Sequence, residues 1–133
     1  MILMQCAALT GIAEDVISDM RHGRPRTLEL QSTHNVVTLA ETKPGNLIFM
    51  TSVDREDLSP GDRGILVYIL TISLTMKRVI EFSNGHLYEE RERLSARIQI
   101  KFCSNSTIKA VEKVKNIEPA VVDVVKAACY HAG

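Results

Sequence analysis

Apolar and polar positions along the chain change period several times, and each change marks an element. Gln5 to Thr10 is a short apolar run suited to a strand, whereas Ile12 to Arg21 places apolar residues at 12, 13, 16, 17 and 20, the spacing of a helical face. Gly23 stands where a left-handed residue would end that helix, and Pro25 bars its continuation. From Thr27 to Ser32 the period becomes two: Leu28 and Leu30 face one way, Thr27, Glu29 and Gln31 the other. Asn35 to Ala40 reads as another strand.

Two turns follow, Lys43-Pro44-Gly45-Asn46 and Ser59-Pro60-Gly61-Asp62. Each has proline preset at the second position and glycine free to take positive φ at the third, as a type II turn requires. They launch apolar runs over Leu47 to Val53 and Ile65 to Thr75, with Asp54-Arg55-Glu56-Asp57 as an exposed turn between them. Met76 to Phe82 and Ala96 to Phe102 alternate as strands, and the polar stretch separating them predicts a protruding hairpin or loop. Thr107 to Asn116 is ambiguous, with recurring Ile and Val favouring a strand. Glu118-Pro119 is expected to open a C-terminal helix with Val121, Val122, Val125, Ala128 and Cys129 on one face.

Seven or so turn-delimited strands, one early helix after the first strand and one closing helix predict an α+β fold: a small, mostly antiparallel β-barrel with helices packed on it. The 133 residues suit a single domain spanning 1–133, and 45% hydrophobic with 24% charged residues excludes a disordered or fibrous chain. Sixteen basic residues balance sixteen acidic ones, so any nucleic-acid site has to be a local basic patch. The uncharged stretch Gly64 to Met76 falls short of a membrane-spanning helix, and the first residues lack the features of a secretory signal. Met4 offers an alternative start. Cys6, Cys103 and Cys129 form no C-x-x-C pair, which fits a reducing cytoplasm and implies no structural zinc.

Candidate chemistry concentrates at the first helix-to-strand junction. Arg21, His22, Arg24 and Arg26 occur with no acidic residue between Asp19 and Glu29, a cluster able to hold phosphate or carboxylate in bidentate fashion. The plainer alternative is that these cations complement the helix dipole. Thr27, Glu29 and Gln31 then offer a hydroxyl, a carboxylate and an amide in a row that can read a polar edge, or simply form the solvent face of a half-buried strand. His22, His34, His86 and His131 lack metal-ligand spacing, and no nucleotide, nucleophile-elbow or cofactor fingerprint occurs. The alternating charges from Tyr88 to Arg97 fit either a solvated face or salt-bridged contacts across a homodimer.

Gly23, Arg26, Glu29 and Gln31 resemble the G-x-K-x-x-E-x-R signature of the ASCH family, part of the PUA-like group of small barrels. Three departures separate them: one extra residue around Pro25, arginine for lysine, and Gln31 for the final arginine. Through TLELQSTHNVVTLAET and TSVDREDLSPGDRGILV, the whole chain also resembles an archaeal family of unknown function. The ASCH resemblance implies RNA or a nucleobase-like ligand in a cleft between the first helix and the strand from Arg26. Arg24 and Arg26 would contact phosphate, with Thr27, Glu29 and Gln31 beside them. It equally admits a small amidohydrolase with Thr27 as nucleophile, Arg26 as electrostatic stabiliser and Glu29 as proton carrier. A non-catalytic protein-interaction domain is the third possibility.

Overall fold

The computed structural model describes residues 3–83, 87–112 and 120–126, with side chains outside 79–91. Along the chain run β1 (Leu3–Leu9), α1 (Glu14–Met20), β2 (Arg26–Leu30), α2 (Thr33–Ala40), β3 (Leu47–Met50), β4 (Arg63–Ser83), β5 (Leu87–Val111) and β6 (Val121–Lys126). The strands form one sheet in the order β2-β5-β4-β3-β1-β6, and β6 pairs back onto β5. β1, β3, β4, β5 and β6 therefore close a ring, parallel only at β1–β3. The architecture is mostly β-sheet with two short helices, and it departs from a clean barrel. β2 attaches outside the ring, and β4 and β5 run well beyond it.

Both faces of β3 and of the inner part of β4 are buried, which explains the uncharged sequence at the start of β4. Ala8, Phe49, Leu66, Ile108, Val122 and Val124 come from the five ring strands and fill one cluster. The opposite faces of the same strands carry Leu9, Ile48, Met50, Ile65 and Val67 against Ile17 and Met20 of α1 and Val36 and Leu39 of α2. Gly64 lets the inner cluster close: a Cβ there would lie 2.4 Å from the Met50 carbonyl oxygen and 2.6 Å from Phe49 Cζ. Both Pro-Gly turns form as the sequence predicts, with Gly45 at φ 92° and Gly61 at φ 96°.

Two elements correct the sequence reading. Residues 35–40 lie in helix α2, not in a strand. Ser32 caps it, its Oγ accepting from Asn35 N at 3.3 Å. The buried Asn35 amide is then fastened to the end of β1, accepting from Thr10 N at 3.0 Å and donating to Thr10 O at 2.9 Å. Tertiary packing of Val36 and Leu39 overrides the strand propensity of Val36, Val37 and Thr38. The expected C-terminal helix is strand β6 over Val121–Lys126, because β1 and β5 each offer it a pairing edge and Val122 and Val124 alternate into the ring. Ala128 and Cys129 lie outside the described residues. Of the acidic turn at 54–57, Arg55–Asp57 is one 3-10 turn whose Arg55 is buried rather than exposed. β3 ends at Met50, short of Val53, and β5 carries the strand reading of Thr107 as far as Val111.

Candidate anion-binding site

Of the five residues singled out between Arg24 and Gln31, Glu29 and Gln31 bond each other, while Arg26 and Glu29 take separate ion-pair partners. α1 ends in three turn hydrogen bonds, and Gly23 takes φ 84° to redirect the chain. Arg24 follows, exposed. Arg26, on the first rung of β2, forms an ion pair with Asp19 of α1, so this pair spans the cleft expected to hold ligand. Thr27 is exposed opposite Gln99 of β5. Glu29 accepts from Lys77 Nζ and from Ser95 Oγ at 3.0 Å, with Arg97 Nη2 at 4.0 Å. The Lys77 hydrogen bond, then that from Ser95, holds its carboxyl below the usual value. Gln31 also hydrogen-bonds the Glu29 carboxylate, and it lines a cleft of about 510 Å³ with Val36, Val37 and Leu94.

A different set of cations does share a groove. Arg21, Arg63, Gly64, Asn105, Ser106 and Thr107 line a space of about 430 Å³. The β4–β5 register builds its floor by placing Arg63 opposite Thr107 and Gly64 opposite Ser106. Arg21 reaches it from the last turn of α1, where its Nε donates to Asn105 Oδ1 at 2.8 Å. That bond orients the guanidinium while engaging one of its five donors. Ser106 Oγ is committed to Val125 O at 3.0 Å. None of the lining residues is acidic, and among the described residues no carboxylate lies within ion-pair distance of Arg63. Two guanidinium groups beside an amide and a hydroxyl suit an oxyanion.

Sequence reasoning found Arg21 but missed Arg63 and Asn105. The sole signal was Arg63 directly after the second Pro-Gly turn; its approach to Arg21 depends on strand pairing that no local pattern encodes. Other chemistry is thin. Among the described residues no group of three or more His, Cys, Asp or Glu is placed to hold a metal. The Cys6 thiol is pushed up to about 11, chiefly by burial, which leaves it a poor nucleophile near neutrality. No helix among the described residues is long and apolar enough to cross a membrane.

Comparison with known proteins adds fold and kinship. Over 98% of its length the chain is similar to the N-terminal domain of a Lon protease from the Mycobacterium avium complex, with a TM-score of 0.53 and 12% identity; it covers 58% of that chain. At that identity the likeness concerns the fold alone. The chain is also 33% identical over 99 residues to the uncharacterized protein MJ0105 of Methanocaldococcus jannaschii. That alignment takes in 74% of this chain and 61% of the relative, so the chain spans less than two thirds of the relative's length. The ASCH-like motif gains nothing from these relatives, and its Arg26 and Glu29 are held by different partners. Residues 4–122 match the family described as "Protein of unknown function (DUF473)", and with an archaeal relative at this identity the chain belongs to that family.

Proposed function

We propose that the chain is a binding module for single-stranded RNA that grips the backbone phosphate in the groove between Arg21 and Arg63. The observation that carries this reading is that two arginines and no carboxylate line one groove. Asn105 and Thr107 supply neutral polar groups beside the cations, and the exposed Arg24 provides a further cation just beyond α1. Phosphate contacts of this kind set position and affinity, not sequence preference. With a balanced net charge the protein has no long-range basic field, so affinity would be modest and the salt slope shallow, about 0.7 of a log unit of affinity per tenfold salt for each phosphate neutralised. A PUA-like ancestry belongs to the same proposal, supported by the closed ring and the helix after the first strand. A cytoplasmic location does too, supported by the unpaired Cys6 and Cys103.

The amidohydrolase alternative has weaker support. Glu29, its proposed proton carrier, is engaged by Lys77 and Ser95 and kept ionised, while Arg26 is engaged by Asp19. Titrating short single-stranded RNAs at two salt concentrations tests the binding reading. Arg63→Ala and Arg21→Ala should each remove a charge-assisted contact of about 1.5 to 3 kcal/mol, roughly tenfold or more in affinity. Arg26→Ala should leave affinity nearly unchanged. If wild type binds no RNA, or Arg63→Ala binds as well as wild type, the groove is not the site.

A further inference from the structure

Outside the ring, β2, β5 and β4 make a three-stranded sheet, and past Ala96, the last rung of β2, strands β4 and β5 continue as a two-stranded arm. The two faces of this sheet differ in kind. One carries Leu28, Leu30, Ile72, Ile98 and Ile100 into the helix-side cluster. Alternation puts the residues between them on the other face. There the ladder sets Thr27, Gln99 and Thr71 on one rung and Glu29, Arg97 and Ser73 on the next. Lys101 stands opposite Tyr68 at the inner end, and Arg93 opposite Lys77 on the arm. Every residue of these rungs is exposed, so no described element covers this face.

Across the whole chain sixteen bases balance sixteen acids, yet these rungs carry Lys77, Arg93, Arg97 and Lys101 against Glu29 alone. Glu29 bonds Lys77 and lies 4.0 Å from Arg97 Nη2, so one carboxylate serves two cations. Among the described residues Lys101 has no acid within ion-pair distance. The solvent face of a half-buried sheet accounts for the alternation of polar and apolar residues, but not for this excess of one sign. Arg93, Arg97 and Lys101 recur at every fourth position of β5, a row about 27 Å long. The exposed apolar residues of the arm, Leu74, Met76 and Leu94, stand on the opposite face, so the cationic face lacks the apolar anchors of the arm that a lipid surface would take up.

We infer that this face is a second contact for single-stranded RNA. Arg93, Arg97 and Lys101 follow the phosphate backbone, Thr27, Thr71, Ser73 and Gln99 supply hydrogen bonds beside it, and a base stacks on Tyr68, which is 39% exposed at the inner end of the row. The class of ligand rests on the RNA reading of the Arg21–Arg63 groove, but the surface is separate. The groove opens on the helix side of the β4–β5 ladder, where Asn105 pairs with Ile65 of the helix-side cluster.

Fluorescence anisotropy with a labelled single-stranded RNA of about 12 nucleotides, repeated over a salt series, tests this, with thermal melts to confirm that each variant folds. Arg97→Ala and Lys101→Ala should each weaken binding roughly fivefold and lower the salt slope by about 0.7. Tyr68→Leu should weaken it roughly tenfold with the slope unchanged, and Tyr68→Phe should bind like wild type, as stacking requires. Arg78→Ala removes the same charge beside Lys77 but on the opposite face, opposite Glu92, and should alter neither quantity. If Arg63→Ala weakens binding while Arg97→Ala and Lys101→Ala do not, the groove stands and this inference falls. If those two weaken it and Arg63→Ala does not, this face is the site and the groove is not. A loss that Arg78→Ala reproduces overturns the inference as an effect of net charge. So does a wild type that binds vesicles of anionic lipid but no RNA.

Discussion

β4 crosses two environments and carries apolar residues in both. In its inner half Ile65, Leu66, Val67 and Ile69 are fully buried; further out Leu74 is 42% and Met76 60% exposed. In the outer half apolar residues alternate with Thr71, Ser73, Thr75 and Lys77, yet Leu74 is chemically the same as the buried Leu66, so side-chain type alone does not separate these two. Layers do. The inner half lies between β3 and β5, with helices on one face and the ring cluster on the other. Among the described residues the outer half pairs with β5 alone. Burial along β4 therefore follows the layers stacked on it, and where those layers stop the same apolar residue types stay exposed.

The comparison breaks first at Gly64. Adding a methyl group there should cost about 3 kcal/mol or more, since the Met50 carbonyl oxygen at 2.4 Å belongs to backbone that cannot step aside. Equilibrium denaturation of Gly64→Ala measures it. The same strand in the outer half should accept Ser73→Ala within about 0.5 kcal/mol. Next come two leucines: Leu66→Ala should lose about 3 kcal/mol by opening a cavity in the ring, and Leu74→Ala less than about 1 kcal/mol. A large cost for Leu74→Ala would mean that the outer half is covered within the chain. Asn35 holds the helical layer to the ring. Asn35→Ala leaves the buried amide and carbonyl of Thr10 without their side-chain partner and should cost about 2 kcal/mol, read by chemical denaturation.

How much of this was legible follows the same division between local and tertiary causes. The Pro44-Gly45 and Pro60-Gly61 turns, the stop at Gly23 and the alternation from Thr27 are local, and each stands as the sequence predicts. α2 was misread because Val36, Val37 and Thr38 favour strands, while the one helical signal, Ser32 as cap, was passed over. β6 was misread because Pro119 and the spacing of Val121, Val122 and Val125 mimic a helix start; the open edges of β1 and β5, distant in sequence, decide otherwise. The site suffers most. Arg21 and Asn105 are 84 positions apart and meet through the β4–β5 register, whereas adjacency in sequence had suggested a single cluster from Arg24 to Gln31.

The smallest effect sits where the two halves join. Glu29 on β2, beside the supported part of β5, bonds Lys77 on the unsupported arm. The Lys77 hydrogen bond is the largest cause lowering the Glu29 pKa from 4.5, followed by that of Ser95. A carboxyl whose folded pKa is depressed contributes stability that is present above its unfolded value and lost as pH falls through the folded one. Glu29→Gln should therefore melt slightly below wild type near neutral pH, and the gap should close as both are acidified through the depressed pKa of Glu29. Because the carboxylate is solvent-exposed, added salt should narrow the gap in the same way. Paired thermal melts between about pH 7 and pH 3 provide the measurement. A gap that is equally wide at both ends, or that ignores salt, would mean that Glu29 holds β2 to the arm through neutral hydrogen bonding with Ser95 and not through its charge.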